Sequence, residues 1–386
     1  MLMPFEFATA GRIVFGAGSR RDLGALLATL GQRVLIVGGQ SRRNEGWLTP
    51  LLHASTMERV DFAVSGEPVL DTVRSGARTA RDNGCDVVLG IGGGSALDTA
   101  KAVAAMAPQP SDVQDYLEVI GRGLPFAAPP LPCVAVPTTA GTGSEVTKNA
   151  VIGCPEHRVK MSLRSPAMLP RVALVDPELT LSLPRDVTAA TGLDALSQLI
   201  EPFVSSKRQP LTDAVCREGL ARLRTAIRRA CDHPDDIEAR ESMSFASLCS
   251  GMALANAGLG AVHGFAGPIG AIFSAPHGAV CAVLLPGVMG ANIDAARSLG
   301  DEDLLARFAE IARLLTGDTA AKPEDGAAWV RSLVKDLAIP PLSSYGLTPA
   351  ALPELVEKAK AASSMKGNPV ALADDTLTAI LSDAVA

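Results

Sequence analysis

The stretch DVVLGIGGGSALDTAK, residues 86–101, carries the clearest structural signal in this chain. It starts as a short apolar run, passes through the glycines of GIGGGS and continues with helical spacing. An apolar strand that ends in glycines and opens a helix is typical of a buried parallel strand. The N–H groups of such a turn can approach an anion closely, and the helix N-terminus favours negative charge. The stretch predicts a phosphate-binding turn, with a ligand-free tight turn as the alternative.

The same strand and helix patterns alternate through the first half of the chain. Strand-like runs occur at residues 5–7, 12–15, 33–37, 60–64, 86–91, 133–136 and 172–175, and helical spacing at residues 19–30, 71–83 and 96–106. This alternation predicts a parallel sheet with helices on both faces. Beyond Pro184 the periodicity is helical, at residues 186–204, 211–231, 237–257, 303–315, 327–337 and 349–362. We therefore expect an α/β domain over residues 1–184 and an all-α domain over residues 185–386.

The composition narrows the class of protein. Of 386 residues, 47% are hydrophobic and 20% are charged, which suits a globular chain, and the net charge of −6 argues against a nucleic-acid partner. The N-terminus lacks a signal-peptide pattern, and the most apolar region, residues 258–291, is interrupted by histidines and prolines. Seven cysteines without a CxxC pair indicate reduced thiols. We expect a cytoplasmic protein with no membrane partner.

A second loop strengthens the prediction of a nucleotide ligand. Residues 136–147, VPTTAGTGSEVT, follow a strand and place several hydroxyls and two glycines in one turn. Hydroxyls and exposed backbone groups suit hydrogen bonds to a phosphate, a ribose or a base. A structural turn is the alternative, but two such loops at the ends of parallel strands point to a nucleotide.

Four further residues form a candidate metal site. Asp194 and Gln198 are four residues apart and share one face of a predicted helix. His263 and His277 lie in the apolar region, where a buried imidazole needs a partner. Asp194, His263 and His277 can hold a divalent metal, although each histidine could instead be hydrogen-bonded within the core.

These elements together resemble the iron-containing (group III) alcohol dehydrogenase family. The segments that carry the resemblance are GIGGGSALDTAK, PTTAGTGSEVT, LVDPELTLSLPRDVTAATGLDALSQLIE and VHGFAGPIGAIFSAPHG, in that order along the chain. The resemblance implies a Rossmann-like dinucleotide-binding α/β domain and an all-α metal domain. It also implies NAD(P)-dependent interconversion of an alcohol and an aldehyde or ketone, and a homodimer.

The resemblance also assigns individual residues. The pyrophosphate and nicotinamide end would be surrounded by Gly92, Gly93, Gly94, Ser95 and Asp98. The adenine, ribose and phosphate side would be lined by Thr138, Thr139, Thr142 and Ser144, and Lys160 would lie near the nicotinamide ribose. Asp194, His263 and His277 match three metal ligands, and His263, His277 and Gln198 are the candidate catalytic residues.

Two positions depart from the family pattern. Gln198 stands where a further histidine ligand is usual, and Gly267 stands where a second histidine near the substrate is usual. An amide oxygen is a weaker ligand for a transition metal than imidazole. Gln198 could ligate the metal, hydrogen-bond a water, or hold a substrate in a metal-free site. We therefore expect Fe²⁺ or Zn²⁺ at this site, with weak binding or a metal-free site as the alternatives.

The turn after the strand at residues 33–37 bears on the choice of cofactor. It reads GGQSRR, residues 38–43, with no acidic residue to bond the ribose 2′-hydroxyl. Gly39 and Ser41, with Arg42 and Arg43, are instead available to a 2′-phosphate. The turn favours NADPH over NADH, with two solvated arginines as the alternative.

The leading hypothesis is an alcohol dehydrogenase or carbonyl reductase that acts on a small molecule with NAD(P)H and a divalent metal. One alternative is a metal-independent carbonyl reductase resembling maleylacetate reductase. Another, of a different class, is a lyase resembling dehydroquinate synthase, but the apolar segments around residues 194, 263 and 277 offer no basic residues for a phosphorylated substrate. A non-catalytic binding protein is the last alternative.

Overall fold

The computed structural model describes residues 4–41, 43–117, 120–157, 159–273 and 275–385. It divides into two compact units. The α/β unit consists of Ala8–Thr139 and Gly143–Thr180, and the helical unit of Met1–Phe7, Ala140–Thr142 and Leu181–Ala386.

A parallel sheet forms the centre of the α/β unit. Its strands are Ile13–Phe15 (β1), Arg33–Gly39 (β2), Glu58–Val64 (β3), Val87–Gly92 (β4), Cys133–Pro137 (β5) and Val172–Val175, and a separate antiparallel hairpin is formed by Asn149–Cys154 (β6) and Val159–Arg164 (β7). With Val172–Val175 labelled β8, the order is β1-β8-β5-β4-β2-β3, and every pair in it is parallel. The central strands are buried on both faces, as continuous apolar runs predict. The predicted α/β class is confirmed.

Helices flank this sheet. They are Leu23–Ala28 (α1), Glu45–Ala54 (α2), Leu70–Asp82 (α3) and Gly94–Met106 (α4). Helix α4 follows β4 directly through the glycine turn, as predicted. The prediction of one helix over residues 19–30 is only partly right, because Ser19–Asp22 is a 3₁₀ turn that precedes α1.

Two local predictions fail. Residues 5–7 were expected to be a strand, yet none of the described residues before Ile13 is in one. The edge strand β1 pairs with β8 over three residues only. This pairing does not extend back to residues 5–7. The hairpin of β6 and β7 was not expected, although the residues of β7, VKMSLR, alternate between apolar and polar side chains.

The helical unit contains α5 (Arg185–Val204), α6 (Pro210–Asp232), α7 (Ile237–Ala257), α8 (Ala261–Phe273), α9 (His277–Leu299), α10 (Glu302–Thr316), α11 (Pro323–Asp336), α12 (Leu352–Ala361) and α13 (Asp374–Val385). One apolar core joins them, and α5 runs through it. The predicted all-α character is confirmed, but α8, α9 and α13 were not expected. Pro268 and Pro286 resemble helix breakers in the sequence, yet they lie inside α8 and α9.

Helix α9 is apolar and long enough to span a membrane by length and composition. The bent pair of α7 and α8 passes the same test if it is counted as one span. The apolar window of α9 is 67% buried inside the structure, which is the usual state of a core helix.

Candidate active site

Helix α5 carries three polar side chains on one buried face. Asp194, Gln198 and Glu201 are spaced four and three residues apart, so they lie on successive turns of the same side. All three are buried. Because a buried carboxylate or amide is costly without a partner, this face must meet polar groups from neighbouring helices.

Helices α8 and α9 supply those groups. His263 lies in the first turn of α8, and His277 is the first residue of α9. Gly278 permits the close packing of α9 on α5, because a Cβ at this position would stand 2.1 Å from the carbonyl oxygen of Ala190. Ala190 precedes Asp194 by one turn, so this packing brings His277 to Asp194.

Four potential ligand atoms converge where these helices meet. Oδ1 of Asp194 lies 3.3 Å from Nε2 of His263 and 3.6 Å from Nε2 of His277. Sγ of Cys281 lies 3.7 Å from Nε2 of each imidazole. All four atoms are within 4.8 Å of one another. The structure thus joins three predicted ligands to a cysteine that the sequence presents as one more buried thiol.

Cys281 could have been found from the sequence. It follows His277 by four residues, so the two side chains share a helix face once the helix is recognised. The histidines and prolines of residues 258–291 concealed that helix, and the spacing therefore carried no weight.

Glu201 is a second functional candidate that the sequence did not reveal. Its Oε2 lies 2.6 Å from Nδ1 of His263, and its Oε1 accepts a hydrogen bond of 2.8 Å from the N–H of Val262. A carboxylate that accepts the Nδ1 proton leaves Nε2 with a lone pair directed at the cluster. Its spacing of seven residues from Asp194 on α5 was the available signal.

Gln198 contacts the cluster from its side. It hydrogen-bonds the carboxylate of Asp194. Because a carboxylate only accepts, the amide nitrogen of Gln198 is the donor. The amide oxygen accepts a hydrogen bond of 3.3 Å from the hydroxyl of Ser250. The structure therefore places Gln198 beside Asp194, and its role as a metal ligand stays a prediction.

Neighbouring charges set the protonation of the four residues in the cluster. Burial disfavours a charged imidazole, but Cys281 and Asp194 attract it more strongly and raise the pKa of His277 to about 9. Burial also lowers the pKa of His263, but Cys281 and Glu201 outweigh this effect and raise the pKa well above its ordinary value. Burial opposes ionisation of Asp194 and of Cys281, yet the two imidazoles lower the pKa of both groups. The cluster favours a carboxylate and a thiolate beside positive charge.

A divalent cation suits this arrangement. Tetrahedral sites with bonds of about 2.0–2.2 Å to nitrogen and oxygen place neighbouring ligand atoms about 3.3–3.6 Å apart. The separations of 3.3 Å and 3.6 Å between Asp194 and the two imidazoles agree with that spacing. Carboxylate and imidazole are common ligands of Fe²⁺ and Zn²⁺.

The predicted phosphate loop lies at the carboxyl edge of the sheet in the α/β unit. Strand β4 ends at Gly92, and Gly93 precedes the first residue of α4, Gly94. Gly92 has φ +149°, which favours glycine. The N–H of Thr138 donates a hydrogen bond of 2.9 Å to the carbonyl of Gly92, so the second loop starts beside the first.

The two loops stay close beyond that bond. A Cβ on Gly93 would stand 3.3 Å from the methyl group of Thr139. Ser95 lies in the first turn of α4, where its carbonyl accepts a hydrogen bond of 2.7 Å from the hydroxyl of Thr99. Thr142 belongs to the segment that is grouped with the helical unit, and its predicted role in nucleotide binding stays a prediction.

The strand order marks this edge as a ligand site. Strand β2 pairs with β3 on one side and with β4 on the other, so the chain reverses its direction of winding between β2 and β4. Ligands of open α/β sheets bind at the carboxyl ends of the strands at such a switch point. Gly39 ends β2 and Gly92 ends β4, so both predicted cofactor segments flank it.

Asp98 and Ser144 are engaged with each other. The hydroxyl of Ser144 donates a 2.5 Å hydrogen bond to Oδ1 of Asp98, and the N–H of Val151 donates a 2.8 Å bond to Oδ2. The buried ammonium of Lys101 lies 3.1 Å from Asp98. These bonds fasten α4 to the second loop and to β6. The predicted contacts of Asp98 and Ser144 with the cofactor stay a prediction.

Lys160 lies on β7 and forms an ion pair of 2.6 Å with Glu67. Gly39 is the last residue of β2 and is exposed, as are Ser41 and Arg43 after it, and their role in cofactor binding stays a prediction. Arg42, also expected there, lies outside the described residues.

Comparisons with known proteins agree with this description. Residues 10–177 match the iron-containing alcohol dehydrogenase family, and residues 188–385 match the C-terminal domain of the Fe-containing alcohol dehydrogenase family. Choline dehydrogenase of Bacillus subtilis (strain 168) is 32% identical over 376 residues, which are 95% of this chain and 90% of that protein. The crystal structure of 1,3-propanediol oxidoreductase has a TM-score of 0.91 at 32% identity and covers 99% of this chain and 100% of its own.

A third similar protein was solved with a nucleotide. Sulfoacetaldehyde reductase from Bifidobacterium kashiwanohense in complex with NAD⁺ has a TM-score of 0.87 at 30% identity and covers 99% of each chain.

The fold and its two groups of candidate residues define a nicotinamide-dependent oxidoreductase that interconverts alcohols and carbonyl compounds. The chain belongs to the iron-containing alcohol dehydrogenase family. The resemblance stated from the four sequence segments is confirmed.

Proposed function

We propose that this chain is a metal-assisted alcohol dehydrogenase whose cation is held by Asp194, His263 and His277. The convergence of one carboxylate oxygen and two imidazole nitrogens at 3.3 Å and 3.6 Å carries the proposal. When bound, a divalent cation supplies Lewis-acid polarisation of the substrate oxygen, and the nicotinamide supplies or accepts the hydride.

The surrounding residues prepare these ligands. Glu201 accepts the Nδ1 proton of His263 and keeps Nε2 directed at the cluster. Gln198 fixes the Asp194 carboxylate through its amide nitrogen. The side chains of Asp194 and His263 are almost fully buried, whereas that of His277 is 38% exposed. His277 is therefore the ligand at the open side, from which a substrate would arrive.

Gly267 shapes the space beside the cluster. It lies one turn after His263 on α8, and among the described residues outside its own stretch of helix none comes within 4 Å of a Cβ built at this position. The open space suits a substrate bulkier than a short alcohol, or one with a second polar group. The similar proteins named for choline, 1,3-propanediol and sulfoacetaldehyde each carry such a substrate in their names.

NADPH is the proposed cofactor. The exposed turn after β2 offers Ser41 and Arg43 and has no acidic residue to oppose a 2′-phosphate. The test compares kcat/KM with NADPH and NADH for the wild type and for Ser41→Asp. We expect the wild type to favour NADPH and the variant to shift the ratio at least about tenfold towards NADH. A wild type that favours NADH contradicts the proposal.

The proposed setting is a cytoplasmic homodimer. All seven cysteines lie in the described part of the chain, where they are buried and form no disulfide, as a reducing compartment allows. The dimer rests on the family resemblance. Light scattering coupled to gel filtration tests it, and a monomeric mass contradicts it.

Metal dependence is tested on protein purified without chelator. We expect about one Fe²⁺ or Zn²⁺ per chain, loss of alcohol oxidation on treatment with EDTA, and recovery when the ion is restored. Full activity in metal-free protein contradicts the metal-assisted function and supports the metal-independent carbonyl reductase. Reaction without net oxidation or reduction of the cofactor supports the lyase.

A further inference from the structure

We propose that Cys281 is the fourth metal ligand of this chain, so that the site is an Asp-His-His-Cys site selective for zinc. The inference rests on the proposed metal-assisted function, in which the substrate oxygen would then enter as a fifth ligand. It also reassigns Gln198 as a residue that positions Asp194 and does not bind the metal.

The first step is geometric. A ligand sulfur at about 2.3 Å and a ligand nitrogen at about 2.0–2.1 Å from one tetrahedral zinc ion lie about 3.5–3.6 Å apart. Sγ of Cys281 lies 3.7 Å from Nε2 of His263 and 3.7 Å from Nε2 of His277. The sulfur therefore already lies close to the position that a fourth ligand occupies.

The second step concerns the alternative explanation, which is hydrogen bonding. Two imidazole N–H groups that donate to the sulfur would give the same pair of 3.7 Å distances. Either explanation requires the sulfur to be directed at both Nε2 atoms, and the two are separated by a cobalt titration.

The third step concerns Gln198. Its amide nitrogen donates a hydrogen bond to Asp194. Its amide oxygen, the only atom of its side chain that can ligate a cation, shares the hydroxyl proton of Ser250 at 3.3 Å with the nearer carbonyl of Ser247 at 2.8 Å. The bond to Asp194 supports a role for Gln198 in positioning that ligand.

The fourth step is the helix that carries the cysteine. Cys281 and His277 lie four residues apart on α9, and Gly278 between them holds this turn against α5. The same close approach that brings His277 to Asp194 therefore brings Cys281 as well. Cys281 itself is fully buried, so its sulfur faces the cluster and not solvent.

The donor set indicates which ion is favoured. Carboxylate, two imidazoles and a thiolate form a mixed set, and thiolate shifts selectivity towards softer ions such as Zn²⁺. On binding, the ion would replace the protons on the imidazole Nε2 atoms and any proton on the sulfur, and these protons would pass to solvent. No oxidant or reductant is required.

Cobalt provides the decisive test, because a Co²⁺–thiolate bond gives an intense charge-transfer absorption in the near ultraviolet. Metal-free full-length protein is titrated with Co²⁺ as the wild type, Cys281→Ser and Cys231→Ser. Cys231 is a second buried cysteine of the helical unit and serves as the matched control. We expect the charge-transfer band in the wild type and in the control, and its loss in Cys281→Ser. The zinc affinity of Cys281→Ser should fall at least about 100-fold, since loss of outer partners alone costs about 10–100-fold.

The outcomes separate this inference from the proposed function. Visible d–d absorption of bound Co²⁺ without the charge-transfer band overturns ligation by Cys281 and leaves the metal site in place. Failure of the wild type to bind Co²⁺ or Zn²⁺ overturns both.

X-ray absorption of the zinc-loaded wild type tests the same bond without a variant, in case Cys281→Ser does not fold. A sulfur neighbour at about 2.3 Å supports the inference, and a shell of nitrogen and oxygen alone at about 2.0–2.1 Å overturns it. In a competition between equal concentrations of Zn²⁺ and Fe²⁺, retention of iron in preference to zinc contradicts the selectivity.

Discussion

The carboxylate of Glu201 lies 2.6 Å from Nδ1 of His263, and this bond fixes which nitrogen of the imidazole faces Asp194. Both residues are buried, and Glu201 also accepts a hydrogen bond from the N–H of Val262 in the first turn of α8. One side chain of α5 therefore sets the orientation of a second helix and of its histidine together. The metal ligands depend on this support as much as on their own positions.

Removal of that support should weaken the metal site without changing its ligands. We expect Glu201→Ala to lower zinc affinity about 10–100-fold and Glu201→Gln, which retains an acceptor oxygen, to lower it less. Competition with a chromophoric chelator measures both variants. The shape of the Co²⁺ spectrum should stay that of the wild type. An altered spectrum, or an unchanged affinity in Glu201→Ala, contradicts the role of the carboxylate.

The two imidazoles should make the metal-free protein less stable as the pH rises, and the lowered pKa of Cys281 opposes this in part. The pKa of His277 is raised from its ordinary value of 6.5 to about 9, and that of His263 is raised well above its ordinary value. A raised pKa stabilises the folded state fully below about pH 6.5, and this stabilisation disappears as the pH passes through about 9. Scanning calorimetry of the metal-free protein should show that Tm falls over this pH range. The Tm of the His277→Gln variant should fall less.

Bound zinc should reverse that trend. The imidazoles must be neutral and Cys281 must be a thiolate to bind the ion, so affinity rises as the pH rises. The increase in Tm on adding zinc should therefore be larger at pH 8.5 than at pH 6.5. If the increase in Tm on adding zinc does not depend on pH, the metal does not displace protons from its ligands.

Gly278 provides a steric test of how the site is assembled. Gly278→Ala would place a methyl group 2.1 Å from the carbonyl of Ala190 and push α9 away from α5. We expect a loss of about 1–3 kcal/mol in the free energy of unfolding and a marked loss of zinc affinity. Gly290→Ala in the same helix is the control, because no atom lies within 4 Å of its Cβ. It should be neutral or stabilising by up to about 1 kcal/mol.

A histidine at position 198 should compensate for the loss of the cysteine. Cys281→Ser removes the proposed fourth ligand, and Gln198→His supplies an imidazole one turn after Asp194 on α5. The double variant should bind zinc at least about tenfold more tightly than Cys281→Ser alone, measured by chelator competition. Equal affinities would show that position 198 cannot reach the ion.

Gly267 is expected to control the size of the substrate. Gly267→Leu fills the open space one turn after His263 and should raise KM for branched or bulky alcohols. KM for short linear alcohols should change little. Gly290→Leu, remote from the histidines on α9, controls for the effect of leucine in place of glycine in a helix. An equal change of KM for both groups of alcohols contradicts the steric role.

The strands of the main sheet and most of the helices could be predicted because their signals are local, although α2 was not expected. Apolar runs that end in glycine, such as the one before Gly92, specify buried parallel strands by composition alone. The residues of the metal site were harder to predict from the sequence. His263 and His277 were recognised as residue types, but α8 and α9 were not, because prolines inside them imitate helix ends.

Cys281 and Glu201 were missed for a related reason. The role of each residue depends on a contact with a partner on another helix, and a local sequence pattern does not predict such a contact. Helix α5 was predicted, yet nothing in its sequence showed that Glu201 would meet the start of α8. Gln198 was noticed because it departs from the family pattern, and the structure gives it two hydrogen-bond partners that the sequence could not supply.

Asp194 and His263 are 69 residues apart in the chain, although their side chains lie 3.3 Å from each other. An ion bound by both would join them as a crosslink does and would reduce the freedom of the unfolded chain between them. Metal loss should then loosen α5, α6, α7 and α8 as a block. Limited proteolysis of the chelated protein would detect this as new cleavage between residues 194 and 263, far from any bond that the metal itself makes.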